Sequence, residues 1–489
     1  MKLWQIFCAL GLVAQAGAAP LGEKIQALIN ASPVARSAFW GIAIEDLSTG
    51  KPLYAFNSAR LFTPASNAKL FTAAMAFERL GPDFRFETRV VAETAPDADG
   101  TIHGALRLVG GGDPNLSARA VPYHAGPATG NPLVQLEELA DQVAAHGVKR
   151  IEGAIVGDDT WYVWEPYPQG WAMDDAHYDY GAPVSALTVN DNVFTLTLRP
   201  GALAGDLANL TLSPPVEFYE IDNRVRTAPA RAEGKVRLDR EPGSRQLRLW
   251  GTLPLDGAAE TMTLAIDDPA EYAARAFRLA LEERGIVVTG GAYARHRFAN
   301  EEPEGPSVDA QFELARHESA PLIDDLGITE KVSQNLHAEL ALRAVGRARE
   351  GIGSQEAGLK EMKSFLEEVG IPADAFSFGD GSGLDRSSLV TPAAVLALLR
   401  YMYESPERDQ WIALLPIGGQ DGTLSARFLN QPGRIYAKTG SLAHVAALSG
   451  YAQRRDGSWA AFSILVNHFA GPAAGIRSTI DRICTLILE

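Results

Sequence analysis

The chain switches between two hydrophobic rhythms, and the switch points mark its organisation. Residues 39–57 alternate apolar and polar positions on either side of Ser48-Thr49-Gly50-Lys51-Pro52, which predicts a strand hairpin with that segment at its tip. Directly after it, Leu70, Ala73, Ala74 and Phe77 recur at helical spacing. Thr63 is placed to cap that helix, Pro64 suits its first turn and Gly81-Pro82 ends it. Near the far end, residues 436–438, 446–451 and 460–466 read as three short strands joined by tight turns. Ile476, Ile480, Ile483 and Ile487 then repeat as the core face of a terminal helix. Two strands at one end and three at the other predict one antiparallel sheet built from both chain ends, an α+β arrangement. Helical periodicity over 330–346, over 355–369 and after Thr391-Pro392 supplies its helices.

Between residues 87 and 306 the rhythm is that of short strands, for example 107–109, 194–198, 207–212 and 245–253, separated by Gly, Pro, Asn and Asp turns. One helix, over 269–284 and closed by Gly285, interrupts them. Glu301-Glu302-Pro303-Glu304-Gly305-Pro306 reads as a linker. The pattern therefore predicts a discontinuous domain from 20–86 and 307–489, with a large, mainly β insertion at 87–306. The insertion divides into two subdomains, 87–188 with 264–306, and 189–263.

Length agrees with that division, since 489 residues exceed one ordinary core and 46% hydrophobic content suffices for two or three. Met1-Lys2, an apolar run to Ala14 and small residues through Ala19 form the three-part layout of a secretory signal over 1–19. No later stretch reaches the roughly eighteen apolar residues that a membrane span needs. A periplasmic or secreted protein without a transmembrane anchor is expected. Cys8 leaves with the signal, so Cys484 has no disulfide partner within the chain. A net charge of -16 without a basic block makes nucleic acid a poor partner. The nine histidines show no metal-ligand spacing, and neither metal nor cofactor is expected.

Ser66-Asn67-Ala68-Lys69 places a hydroxyl and an amine three residues apart at the start of the first predicted helix, on one face of it. An amine so placed can take the proton of the hydroxyl, and a helix N-terminus favours developing negative charge. Ser48-x-x-Lys51 has the same spacing but falls at the hairpin tip, where it reads as a turn. Two further tripeptides add to Ser66: Ser333-Gln334-Asn335, early in a predicted helix, and Lys438-Thr439-Gly440, at the end of a predicted strand.

In this order the three motifs resemble those of the penicillin-recognising serine acyltransferases. The chain is most like the D-alanyl-D-alanine carboxypeptidase/endopeptidase branch, the class C low-molecular-mass penicillin-binding proteins. Supporting that branch, Ser333 lies 267 residues beyond Ser66. Gly379-Asp380-Gly381-Ser382-Gly383-Leu384-Asp385-Arg386 precedes Thr391-Pro392, and Ser441-Leu442 extends the third motif. The resemblance implies a β-lactamase/transpeptidase-like domain whose antiparallel sheet is flanked by helices, acting on peptidoglycan stem peptides and inhibited by β-lactam antibiotics.

It implies Ser66 as nucleophile, Lys69 as general base, Ser333 as proton relay, Asn335 as the group that fixes Lys69, and Lys438 as the neighbouring cation. Thr439, Gly440 and Ser441 would bind the substrate, with Lys438, Thr439 and Ser441 on its terminal carboxylate. The amides of Ser66 and Ser441 would hold the oxyanion. Asp174 and Asp175, beside Trp171 in the insertion, would contact the peptide stem. Two other readings remain open: a β-lactamase or esterase of the same fold, and a catalytically inert cell-wall-binding protein. Oligomeric state is not encoded in these patterns.

Overall fold

The computed structural model describes residues 20–126, 130–241, 243–301 and 312–489. The expected signal and most of the expected linker lie outside these residues.

Strands Phe39–Asp46, Lys51–Phe56, Ile435–Leu442, Val445–Gln453 and Trp459–Asn467 form one antiparallel sheet. The first strand sits between Lys51–Phe56 and Trp459–Asn467, so the two chain ends share a ladder. Side-chain alternation then sorts the core into two layers. Ala446, Leu448, Phe462, Ile464 and Val466 point to one face, where they meet the helices Leu21–Ala31 and Ala474–Ile487. Ala447, Tyr451, Ala461 and Leu465 point to the other, against Ala68–Leu80, Asn335–Glu350 and Pro392–Glu404. With both faces covered, Phe39–Asp46 is buried at six consecutive positions. Each large apolar side chain placed there contributes roughly 1.5–3 kcal/mol.

The insertion centres on a five-stranded sheet in the order Ala292–Arg297, Ile155–Val163, Leu106–Val109, Glu87–Ala92, Phe312–Glu318. Phe312–Glu318 pairs antiparallel with Glu87–Ala92, so the insertion closes beyond residue 312 and not at 306. Two helices pack on this part, Pro269–Glu283 and Val134–Ala145; the second was not expected, although Leu136, Leu139, Ala140 and Val143 lie along one buried stripe. Three three-stranded sheets complete the insertion, and a single hydrophobic cluster runs from Val90 to Ala315 through both parts expected as subdomains.

Helical periodicity over 330–346 proves to span two helices, Leu322–Val332 and Asn335–Glu350. Ser333 breaks them with a left-handed backbone, φ 68°, and Gln334 caps the second by accepting from the Leu336 amide. Ser333 thus stands on a corner between helices and not within one.

Candidate active site

Ser66 lies in a short 3-10 turn, Ala65–Asn67, that runs into the helix Ala68–Leu80. Ala65 has φ 48°, a conformation that a β-carbon resists, so neighbours must hold the turn. Asn67 Nδ2 donates to the Lys438 carbonyl at 3.0 Å. Thr63 does not cap the helix as its sequence position suggested. Its backbone is instead clamped by Asn467, which accepts from the Thr63 amide at 2.9 Å and donates to its carbonyl at 3.1 Å. Gly440 explains itself here, since a β-carbon on it would stand 2.7 Å from the Pro64 carbonyl oxygen. A side chain would push the nucleophile turn off the strand.

The three motifs meet around two buried amines. Lys69 Nζ donates to Ser66 Oγ at 3.1 Å, to Asn335 Oδ1 at 2.6 Å and to the Ser382 carbonyl at 2.7 Å. Lys438 Nζ donates to Ser333 Oγ at 2.7 Å and to its neighbour's carbonyl at 3.2 Å. Asn335 Nδ2 continues the chain to the Tyr180 carbonyl of the insertion, at 2.7 Å. Both lysine side chains are fully buried, while Ser66 and Ser333 remain partly open. Ile435–Leu442 is an edge strand of its sheet; the outer backbone groups of Ile435 and Ala437 bond Gly418 and Pro416, and the strand also packs against the nucleophile turn. Thr439 is half-buried beside it and Ser441 is exposed.

Burial lowers the Lys69 pKa, and the Lys438 cation lowers it further, to about 7, against the opposing carboxylates of Asp380, Glu330 and Glu339. An amine with that pKa is a competent base at neutral pH. Burial also lowers the Lys438 pKa, and Glu330 opposes it.

Further groups shape the site around the two amines. Glu339 Oε1 accepts from the amides of Gly381 and Ser382, at 2.8 and 2.9 Å, which aims the Ser382 carbonyl at Lys69. Asp380 gathers the same loop through Ser382 Oγ, the amides of Gly383, Leu384 and Asp385, and Trp171 Nε1. Behind Asn335, the His337 imidazole lies between Asp325, at 2.7 Å, and Asp191, at 3.2 Å. Burial disfavours its charge, but the two carboxylates outweigh burial and raise its pKa to about 9. Asp191 also holds Arg119 and Gln334, so the insertion is pinned to the Ser333 corner. Of the two aspartates expected at the stem, Asp174 is exposed. Asp175 is buried, with Oδ2 accepting from the Ala172 amide at 3.0 Å, and so shapes its own loop.

Glu330 is fully buried, and neither of its carboxylate oxygens accepts a hydrogen bond from the protein. Burial raises its pKa, while Lys438 and Lys69 oppose the rise. If Lys69 must be neutral and Lys438 charged, kcat/KM against pH is a bell with its acid limb near pH 7. Glu330→Gln removes a negative charge that favours protonated lysines, so both limbs move to lower pH. A pH-rate profile that stays in place or moves upward contradicts this account.

Comparison with known proteins adds the chemistry's lineage. The model of the D-Ala-D-Ala carboxypeptidase 3 (S13) family matches residues 21–485. A D-alanyl-D-alanine carboxypeptidase of Actinomadura sp. (strain R39) is 36% identical over 93% of this chain and 82% of its own length. Among solved structures, penicillin binding protein 4 (dacB) from Haemophilus influenzae superposes with TM-score 0.81 at 24% identity, covering 95% of this chain and 99% of that one. The same protein complexed with a β-lactam gives TM-score 0.76 at 23% identity over the same shares. These two likenesses establish the fold, a β-lactamase/transpeptidase-like domain carrying a large insertion.

Proposed function

Since this chain belongs to the D-Ala-D-Ala carboxypeptidase 3 (S13) family, we propose that its three motifs run that family's chemistry on peptidoglycan stem peptides, with Ser66 as the nucleophile. The enzyme is a serine-type D-Ala-D-Ala carboxypeptidase that also acts as an endopeptidase. One observation carries the residue assignment: a buried amine with pKa about 7 donates to the Ser66 hydroxyl and is held by Asn335 and the Ser382 carbonyl.

Neutral Lys69 takes the Ser66 proton as Oγ attacks the carbonyl of the penultimate D-alanine. Negative charge then develops on that carbonyl oxygen, where the amides of Ser66 and Ser441 would hold it; one such donor is typically worth about 3 kcal/mol. Lys438 donates to Ser333 Oγ, which leaves the Ser333 hydrogen free to point at the leaving amine. Ser333 gives up that proton and recovers, through the two amines, the one that Lys69 took from Ser66, so Lys69 returns to neutral and Lys438 keeps its charge. The amine departs, an ester to Ser66 remains, and water hydrolyses it. The charge on Lys438, with Thr439 and Ser441, binds the terminal carboxylate, which accounts for a buried cation in so acidic a protein. A β-lactam reacts by the same attack, but its leaving group stays tethered and the ester persists.

No helix of the described residues is long and apolar enough to cross a membrane. The layout of residues 1–19 supports export to the periplasm, where the substrate lies.

The experiment is release of D-alanine from a synthetic pentapeptide, followed alongside labelled penicillin. Steady D-alanine release with a long-lived penicilloyl-protein is the expected result. Fast release of the label would reassign the protein as a β-lactamase, and absence of both would leave a wall-binding module.

A further inference from the structure

The Ser333 corner divides the cleft. On one side Asn335 reaches Lys69 and the Tyr180 carbonyl, and on the other Val332 is exposed and faces a separate cavity of about 550 Å³. Arg119, Tyr123, Lys331, Val332 and Thr423 line it, so its walls come from both the insertion and the catalytic domain.

It is a built cavity. The Tyr123 hydroxyl accepts from the Gly422 amide at 3.2 Å, which joins the two walls. Lys331 Nζ donates to the Leu415 carbonyl at 2.9 Å and to Asp421 at 2.7 Å, and it stands 5.8 Å from the centre of the Tyr123 ring. Thr423 Oγ1 hydrogen-bonds Thr439 Oγ1 at 2.9 Å, which ties the cavity to the strand expected to hold the substrate carboxylate.

The position identifies the part of the substrate that faces it. Ser333 delivers the proton to the leaving amine, so the leaving group departs on the side of Ser333 and Thr439. A terminal D-alanine carries only a methyl group beyond its amine and carboxylate, far too little to occupy such a volume. In a cross-linked dimer the leaving amine belongs to a diamino acid, which continues as a methylene chain into a second peptide. We propose that this cavity is the leaving-group subsite for that second peptide, and so sets the balance between endopeptidase and carboxypeptidase action. Val332 and the Tyr123 ring flank the methylene chain, and the hydroxyls of Tyr123 and Thr423 meet its polar continuation. Arg119 and Lys331 are balanced by Asp191 and Asp421, so the subsite selects by shape and apolar contact more than by charge. This inference rests on the peptidase reading above.

The test compares kcat/KM for a cross-linked peptide dimer and for a pentapeptide in the wild type, in Tyr123→Ala and in Ala120→Trp, which fills the exposed mouth of the cavity. Dimer cleavage should fall by about tenfold or more in both variants, mostly through KM, while D-alanine release changes by less than about twofold. Labelled-penicillin acylation serves as the measure of an intact catalytic centre. Equal losses on both substrates, or no loss on either, overturn the subsite. A wild type that releases D-alanine but leaves the dimer uncut overturns the subsite and the endopeptidase half of the reading while the carboxypeptidase half stands, and one that does neither overturns the peptidase reading whole.

Discussion

Ser66→Ala abolishes covalent penicillin labelling, whereas Ser48→Ala leaves it unchanged. Both serines precede a lysine by three residues, and only their surroundings separate them. Ser48 Oγ and its amide bond to Asp46 Oδ1 at 2.6 and 3.0 Å on an exposed hairpin, and Lys51 opens the following strand in solvent. Ser66 Oγ instead meets a buried amine at 3.1 Å, on a turn clamped by Asn467 and by the Asn67–Lys438 bond. Loss of the nucleophile in a serine acyl enzyme removes roughly 10⁶ of turnover. Gel fluorography after labelled penicillin reads this directly, and residual labelling of Ser66→Ala at the wild-type rate would exclude Ser66.

Lys69→Met lowers the acylation rate by roughly 10²–10⁴, the usual contribution of a positioned base. Methionine keeps the aliphatic stem but cannot take the proton. It also leaves Asn335 Oδ1 and the Ser382 carbonyl without the donor they now share, at a cost of roughly 1–3 kcal/mol for each buried acceptor. The variant therefore melts earlier as well as reacting more slowly. Lys69→Arg does not restore the rate, because a guanidinium stays protonated. Stopped-flow acylation with a chromogenic cephalosporin, paired with thermal denaturation, separates the two effects. A Lys69→Met protein that is destabilised yet acylates normally would show that the amine is structural.

Much of this was legible in the sequence because it depends on residue identity at short range. The serine and lysine one helical turn apart, the two tripeptides, and the strand rhythm at both chain ends need no knowledge of tertiary contacts. The catalytic sheet follows from five alternating segments. What the sequence hid falls into two physical kinds. Backbone carbonyls of Ser382 and Tyr180 hold Lys69 and Asn335, and a carbonyl has no residue signature. Glu330, Glu339 and His337 look like ordinary polar positions on helices, and only tertiary closure buries the two glutamates near the amines and the histidine between Asp325 and Asp191.

The helical rhythm over 330–346 misled for a related reason. The polar triplet Ser333-Gln334-Asn335 fits a helix as well as a corner, and the left-handed turn at Ser333 is imposed by its surroundings. Similarly, Phe312–Glu318 joins the insertion through a pairing with Glu87–Ala92, more than two hundred residues away. The helix Leu21–Ala31 carries Leu21, Ile25, Leu28 and Ile29 along one face, which packs on Ala474–Ile487.

The most direct measurement is peptide mapping by mass spectrometry of the protein after brief reaction with penicillin. One adduct, carried by Ser66 alone, is the predicted result. An adduct on Ser48, Ser333 or any other residue, with Ser66 unmodified, would contradict the account.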